Sequence, residues 1–346
     1  MSKRCIVLGA SAGGVEALKD VVAKLSAHFP APVFIVLHVP PFAESSLPAV
    51  LSAAGPLKAI HPKDGEKIKN GIIYVAPPDH HLLIDKNTVA VKKGPKENRF
   101  RPSIDALFRS AAYNYGSEAI GVILSGALDD GTSGLWSIQR LGGVSIVQTP
   151  NQARFESMPN NALEYVDADY QIPSLEIGDL LSRLVLEPVA CEINPEDRKL
   201  DELKKRMKTE VSIAAEGGAF QKGEMGMGEP THYTCPECHG TLVRISEGKM
   251  LRFRCHTGHA YTNNALLEAV MENAGGMLWQ VIRSLEESVM LLNEMGKNLK
   301  DAGETNRAKI FFAKAHALEK QSITFLSDAL KHETLSGERL GKAAEK

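Results

Sequence analysis

No stretch of the 346-residue sequence stays apolar for the roughly 20 residues that a membrane-spanning helix needs. No signal-peptide pattern precedes the first predicted strand either, since Met1-Ser2-Lys3-Arg4 runs straight into apolar chain. A soluble, cytoplasmic protein with no direct membrane insertion is expected. Charge of one sign is also missing: 40 basic against 42 acidic residues leave a net charge of −2, which offers no electrostatic reason for a nucleic acid partner. Cysteine is sparse, with five residues in all, and does not suit a disulfide framework in that compartment. Three of them, Cys235, Cys238 and Cys255, gather late in the chain, where a metal is expected. Cys5 reads as a buried strand residue, and Cys191 falls in a connecting region with no role assigned. Neither G-x-G-x-x-G nor a Walker lysine is present, which counts against nucleotide binding at the glycine-rich turn described next.

What is there begins with Cys5-Ile6-Val7-Leu8 running into Gly9-Ala10-Ser11-Ala12-Gly13-Gly14, after which Val15, Leu18, Val22 and Leu25 recur at helical spacing. Strand, tight turn and helix are predicted, and Gly9 to Gly13 fits G-x-S-x-G, which stands a serine on a sharp corner as a nucleophile. A helix-capping serine is the plain alternative. Pro32 to His38 makes a second strand, its continuous apolar run suited to burial on both faces. Further strands are expected at Gly71–Pro78, at Leu82–Ile84 with Val89–Val91 as a hairpin at a sheet edge, at Ala119–Leu124, at Val144–Gln148 and near Tyr170–Ile172. Helices fall between them, one starting at Ser103 as N-cap. Such alternation predicts an α/β fold with a doubly wound, mainly parallel sheet.

In that topology the ligand site lies beyond the carboxyl ends of the central strands. Three loops start there, at Ser11, at His38 and at Gly126, the last running through Asp129-Asp130-Gly131. Hydroxyl, imidazole and carboxylate are the inventory for acyl transfer, with Ser11 as nucleophile, His38 as base and Asp129 or Asp130 as its orienting acid. No cofactor is needed for that chemistry. Alpha/beta-hydrolases share G-x-S-x-G but run Ser, Asp, His, so the order here excludes them.

Gly9-Ala10-Ser11-Ala12-Gly13-Gly14, His38-Val39-Pro40-Pro41, Arg99-Phe100-Arg101-Pro102-Ser103-Ile104-Asp105, Leu124 to Gly131 and Ser157-Met158-Pro159 are five ordered blocks. Over residues 1–186 they resemble the catalytic domain of the chemotaxis protein-glutamate methylesterases. The resemblance implies Ser11 as nucleophile, His38 as base and Asp130 as third member, with backbone N–H groups of Ala12 and Ala127 as oxyanion donors. The family usually carries Thr where Ala12 stands and Met where Ala127 stands. The implied activity is hydrolysis of glutamate γ-methyl esters on methyl-accepting receptor proteins, with glutamine deamidation by the same route and functional pairing with a receptor methyltransferase. Members usually carry a receiver domain in front. With none before the first strand here, control is expected from a partner or from the C-terminal half.

Residues 187–230 read as a charged, solvated helix (Asp197 to Met207) and a flexible Gly- and Met-rich linker. Residues 231–262 have the plan of a zinc ribbon: Cys235-Pro236-Glu237-Cys238, a hairpin around Glu247-Gly248, then Cys255-His256-Thr257-Gly258-His259. Cys235, Cys238, Cys255 and one histidine make four ligands for a structural zinc. His259 is preferred to His256, because adjacent residues chelate one ion only with strain. Over 263–340 two apolar stripes, Leu278 to Leu299 and Phe311 to Ala329, flank a Gly303 turn and predict a helical hairpin. Its faces pack on one another or also meet a second copy or a partner helix. A rival reading of the whole chain is a signalling scaffold that keeps the esterase fold and recruits partners through this C-terminal region.

Overall fold

The computed structural model describes residues 4–42, 44–189 and 198–332. Cys191 and the end of the expected hairpin beyond 332 lie outside these. Two compact units divide the chain, Met1–Leu266 and Leu267–Lys346. In the first, β1 (Cys5–Ala10), α1 (Gly14–Ala23), β2 (Val33–Leu37), α2 (Leu47–Ala54), β3 (Lys58–Ile60) and β4 (Ile72–Val75) lead to a hairpin, β5 (His81–Asp85) and β6 (Thr88–Lys92). Then follow α3 (Ile104–Tyr115), β7 (Ala119–Ile123), α4 (Thr132–Arg140), β8 (Val144–Gln148), α5 (Ser157–Tyr165), β9 (Tyr170–Ile172) and α6 (Ser174–Leu184). The helix α7 (Arg198–Glu216) leads to β10 (Glu229–Thr234), β11 (Thr241–Glu247), β12 (Met250–Cys255) and β13 (Ala260–Thr262), which end where α8 (Asn263–Asp301) begins; α9 (Thr305–His332) closes the described chain.

Seven strands form one sheet in the order β3-β4-β2-β1-β7-β8-β9, every pairing parallel. The chain enters at the middle, builds toward β3, then crosses through α3 to β7 on the other side of β1. That crossover makes the switch point, and it sets the ends of β2, β1 and β7 side by side. The central strands are buried on both faces, as their unbroken apolar runs require. Helices α1, α2 and α6 cover one face through Leu18, Val22, Leu51 and Leu181; α3, α4 and α5 cover the other through Leu107, Phe108, Leu135 and Ala162.

The hairpin Leu82–Val91 departs from the sequence reading. Instead of extending the main sheet it forms its own two-stranded sheet laid over α3. There Ser110 Oγ accepts from Ile84 N–H at 3.0 Å and Asn114 Nδ2 donates to Ile84 O at 2.9 Å. Side chains of α3 thereby satisfy an edge that another strand would otherwise pair.

The charged helix is a second departure. Far from being solvated, α7 buries Leu200, Leu203 and Met207 in the α3-side core and carries Glu210 at 0% exposure. Glu210 meets Arg109 of α3 at 2.6 Å and Arg252 of β12 at 3.1 Å. Glu97 meets Arg109 at 2.9 Å and Arg254 at 2.8 Å, and Glu247 meets Arg252 at 2.9 Å and Arg206 at 2.7 Å. Burial pushes the Glu210 carboxyl up, but Arg109, Arg252 and Arg254 outweigh it and bring it down to about 2. Opposite charges on three elements thus join α3, α7 and the antiparallel sheet β10-β11-β12-β13 into one body. A composition dense in charge looks solvated in one dimension; only the fold shows that the charges face each other. The glycine-rich stretch after α7 likewise packs, with Ala219 buried and a short 3-10 turn over Glu224–Met227.

The second unit is a hairpin of the greater part of α8 with α9, turned at Gly303 with φ +83°. A Cβ at Gly296 would come within 2.7 Å of the Phe312 ring, so glycine there lets the two helices close. Ile282, Ala308, Ala315 and Ala329 are buried, while Met290, Leu291, Ile310 and Ile323 are exposed. Among the described residues no helix is long and apolar enough to cross a membrane.

Replacing Glu210 by Gln leaves buried guanidinium groups underpaired, and the expected cost is about 3–5 kcal/mol in denaturant melts. Because the folded carboxyl lies below its unfolded value, its contribution is present above pH ~4.3. It is lost as pH falls toward about 2. Wild type should therefore lose stability across that window more steeply than Glu210→Gln, and equal slopes would refute the account.

Candidate active site

Three loops meet at the switch point. Ser11 follows β1, its N–H held by Ser125 O at 2.9 Å, and Gly13 turns the chain into α1 with φ +70°. Ser125 Oγ donates to Ala12 O at 2.8 Å, so the β7 loop fixes the Ser11 loop. A Cβ on Gly126 would lie 2.9 Å from Ser11 Cβ; only glycine lets the two loops approach so closely. His38 follows β2, its N–H bonded to Ala10 O at 3.2 Å.

His38 Nδ1 lies 3.1 Å from Ser11 Oγ, and His38 Nε2 lies 2.8 Å from Asp130 Oδ2. The imidazole is 4% exposed and the carboxylate 1%. An ionised carboxylate only accepts, so Nε2 carries the proton and Nδ1 is free to accept the Ser11 hydroxyl. The ring nitrogens are used in the opposite sense to the Ser-His-Asp template, in which Nε2 faces serine; the chemistry needs only that the nitrogen facing the hydroxyl be bare. Phe100 stacks on the imidazole with centroids 3.7 Å apart and planes 8° from parallel, so the ring has little room to turn.

Asp130 sits at the N-terminus of α3 and accepts from five donors. Besides His38 these are Asn98 Nδ2 at 2.8 Å, Ser103 Oγ at 2.9 Å, and the backbone N–H groups of Ile104 at 2.7 Å and Asp105 at 3.2 Å. Burial pushes this carboxyl up, but the hydrogen bonds from His38, Asn98 and Ile104 hold it below the usual carboxylate range. Ser103 occupies the expected N-cap position, yet its hydroxyl turns to Asp130, which caps the helix in its place.

Between the two aspartates that the motif offered, only Asp130 reaches the imidazole. Asp129 accepts from Thr262 Oγ1 at 2.7 Å, and burial foremost, with the Asp130 charge, raises it to about 7. Among the described residues no hydrogen bond engages the backbone N–H of Ala12 or of Ala127, both in loops that flank Ser11. Sequence reasoning missed Asn98, Phe100, Ser103 and Thr262 as parts of this site. A weak signal existed for Asn98, since asparagine is among the few residues that accept a left-handed backbone.

A second cluster lies in the antiparallel sheet. Cys235, Cys238, Cys255 and His259 bring their donor atoms within 4.8 Å of one another. Cys235 Sγ and Cys255 Sγ each lie 3.6 Å from His259 Nδ1, and Cys238 Sγ lies 3.6 Å from Cys255 Sγ. Tetrahedral zinc with bonds of about 2.3 Å to sulfur and about 2.0 Å to nitrogen separates its ligands by about 3.5–3.8 Å, so the donor set fits such an ion. His256 is exposed and stands outside the cluster.

A serine hydroxyl, an imidazole and a carboxylate in hydrogen-bond sequence at the carboxyl edge of a parallel sheet is the arrangement of a serine-type hydrolase. Residues 6–181 match the family model described as CheB methylesterase, and the chain belongs to that family. A Leptospira interrogans protein provisionally named protein-glutamate methylesterase/protein-glutamine glutaminase is 39% identical over 185 residues, 53% of this chain and 96% of that protein. The Thermotoga maritima protein of the same name is 34% identical over 189 residues, 54% of this chain and 55% of the relative. The crystal structure of the Thermotoga maritima CheB methylesterase catalytic domain superposes with a TM-score of 0.51 at 34% identity, covering 53% of this chain and all of that domain.

The two aspartates should respond differently to amidation. Asp130→Asn puts an NH2 group among five donors and should slow fluorophosphonate labelling of Ser11 by about 10³-fold or more. Asp129→Asn mimics the protonated acid and should label near the wild-type rate at pH 6. Equal losses in both variants would overturn the distinction.

Proposed function

We infer that this chain is a protein-glutamate methylesterase that hydrolyses glutamate γ-methyl esters on methyl-accepting receptor proteins and deamidates glutamine by the same route. One observation carries the reading: the continuous bond sequence Ser11–His38–Asp130 in a chain of the CheB methylesterase family. In this proposal His38 Nδ1 takes the Ser11 proton as Oγ attacks the ester carbonyl carbon. The N–H groups of Ala12 and Ala127 receive the oxyanion, and no acceptor among the described residues competes for them. The imidazolium, stabilised by Asp130, passes its proton to the leaving methoxide and methanol departs. Water then attacks the acyl-enzyme with His38 again as base, releasing glutamate and restoring Ser11. With glutamine, ammonia leaves at the first stage and the rest is unchanged. A functional partner is a methyltransferase that rebuilds the ester.

Residues 1–186 form the catalytic domain in this reading, 187–230 the charged helix and connection, 231–262 a zinc ribbon and 263–340 the helical hairpin, whose exposed apolar residues suit a second copy or a partner helix. Cys235, Cys238, Cys255 and His259 would hold a structural zinc, closed to water by its four protein ligands. Thiolate ligands call for a reducing compartment, so the cytoplasm is proposed. The scaffold alternative has nothing in its favour while Ser11, His38 and Asp130 stand in hydrogen-bond contact.

Methanol release from a γ-methylated receptor should fall to background in Ser11→Ala with an unchanged circular dichroism spectrum; retained turnover would defeat the reading. Elemental analysis should find about one zinc per chain, none in Cys235→Ser, and a lower melting temperature after chelation. A metal-free chain with the same melting temperature would remove the zinc proposal.

A further inference from the structure

Asn98 is 3% exposed and stands between two parts of the chain far apart in sequence. On one side its Nδ2 donates to Asp130 Oδ1 at 2.8 Å and to Asp105 Oδ2 at 2.7 Å. On the other its Oδ1 accepts from Thr262 N–H in β13 at 2.9 Å. The amide can face only this way, because the flipped form would set its oxygen against two carboxylates and its NH2 against an N–H.

The backbone at this point is a tight turn, with Phe100 N–H donating to Glu97 O at 2.9 Å and Glu97 N–H donating to Phe100 O at 3.2 Å. Asn98 and Arg99 are consecutive non-glycine residues in the left-handed region, at φ +50° and +74°. Asparagine is at home in that region, whereas arginine rarely adopts it. β13 holds this turn from outside. Asn98 N–H donates to Ala260 O at 2.7 Å and Ala260 N–H donates to Lys96 O at 3.3 Å. Next to Asn98, Glu97 is held by Arg254 of β12. The same loop carries Phe100, which stacks on His38. The loop that touches both neighbours of the imidazole, its acid and its stacking ring, is therefore also held from a segment more than 150 residues downstream.

We propose that the antiparallel sheet β10–β13 holds the esterase site in working order through Asn98, a positioning residue for Asp130, so that docking of β13 sets the reactivity of Ser11. The proposal rests on the triad reading given above. Loss of the β13 contacts frees the Asn98 amide, withdraws one donor from Asp130 and loosens the ring that limits His38. Control from the C-terminal half then needs no element that covers the site; anything that lifts β13 from the 96–98 loop lowers the nucleophile's reactivity.

The test uses the full-length protein, with Ser11 labelling by a fluorophosphonate and methanol release as readouts. Asn98→Gly deletes the amide while keeping a residue at home in the left-handed region. It should lower both rates about tenfold, as loss of a hydrogen bond to a charged group does, through kcat with KM little changed. The acid limb of kcat/KM should also move to higher pH, because Asp130, with Asp105, Asp129, His81 and His38 around it, has lost a donor to its ionised form. Measured against Thr262→Val, which like proline lacks the hydroxyl that meets Asp129, Thr262→Pro removes the N–H that points to Asn98 rather than to β12. It should lower labelling to a similar extent, and in the double variant add nothing further. Full additivity, or wild-type labelling and an unmoved acid limb in Asn98→Gly, overturns the proposal. If Thr262→Pro does not fold by circular dichroism, the kcat and KM values and pH profile of Asn98→Gly decide. Wild-type protein that never labels at Ser11 would instead sink the triad reading on which the proposal rests.

Discussion

The buried carboxylate of Asp130 is where the structure's demands converge. It is 1% exposed, and an ion so placed is tolerable only if donors replace its water. Five do, and they come from four places: the β2 loop, the 96–98 loop, the N-terminus of α3 and its cap residue. These donors are positioned by separate parts of the fold, so the site exists only when the sheet, the crossover helix and the loop over them are all in place. The helix contributes twice, through N–H groups left unpaired by its own geometry and through the positive end of its dipole. Once ionised and fixed, Asp130 fixes the tautomer of His38, and the tautomer fixes which nitrogen meets Ser11. The ring sense opposite to the familiar template follows from where β2 ends relative to α3 and carries no chemical penalty.

The second organising constraint is the buried charge joining α3, α7 and the antiparallel sheet. Glu97, Glu210 and Glu247 face Arg109, Arg206, Arg252 and Arg254, all buried except the partly exposed Arg206. Such networks add little net stability compared with apolar packing, but they tolerate no missing member. They specify how the downstream sheet must dock, and that docking brings β13 against the loop that holds Asp130. The charge network and the candidate site thus meet in one short segment: Glu97 belongs to the charge network, Asn98 contacts the carboxylate and Phe100 the imidazole.

Much of this was legible in the linear chain. The alternation of apolar strands and amphipathic helices predicted the parallel sheet, and G-x-S-x-G after the first strand located Ser11. The Cys and His spacing selected the four residues that cluster, His259 included. Three readings failed or stayed open for a common reason. The hairpin Leu82–Val91 carries strand periodicity but no mark of which edge it will pair. The helix 198–216 is rich in charge, and composition cannot tell a solvated charge from one opposite a buried partner. Asp129 and Asp130 are adjacent and identical, and only the direction of the chain at Gly131 separates the one that meets His38 from the one that meets Thr262.

Sequence alone determined the local matters, those governed by contacts between near neighbours: where strands and helices run, which turn can hold a nucleophile, which four side chains suit a soft metal. The tertiary structure decided which groups meet across 27, 92 and 164 residues of chain, from serine to imidazole, imidazole to carboxylate, and carboxamide to the strand behind it. Distances of that kind are set by sheet order, crossover and docking. Burial then makes each meeting count, because a charge taken out of water has no partner except the one the fold supplies.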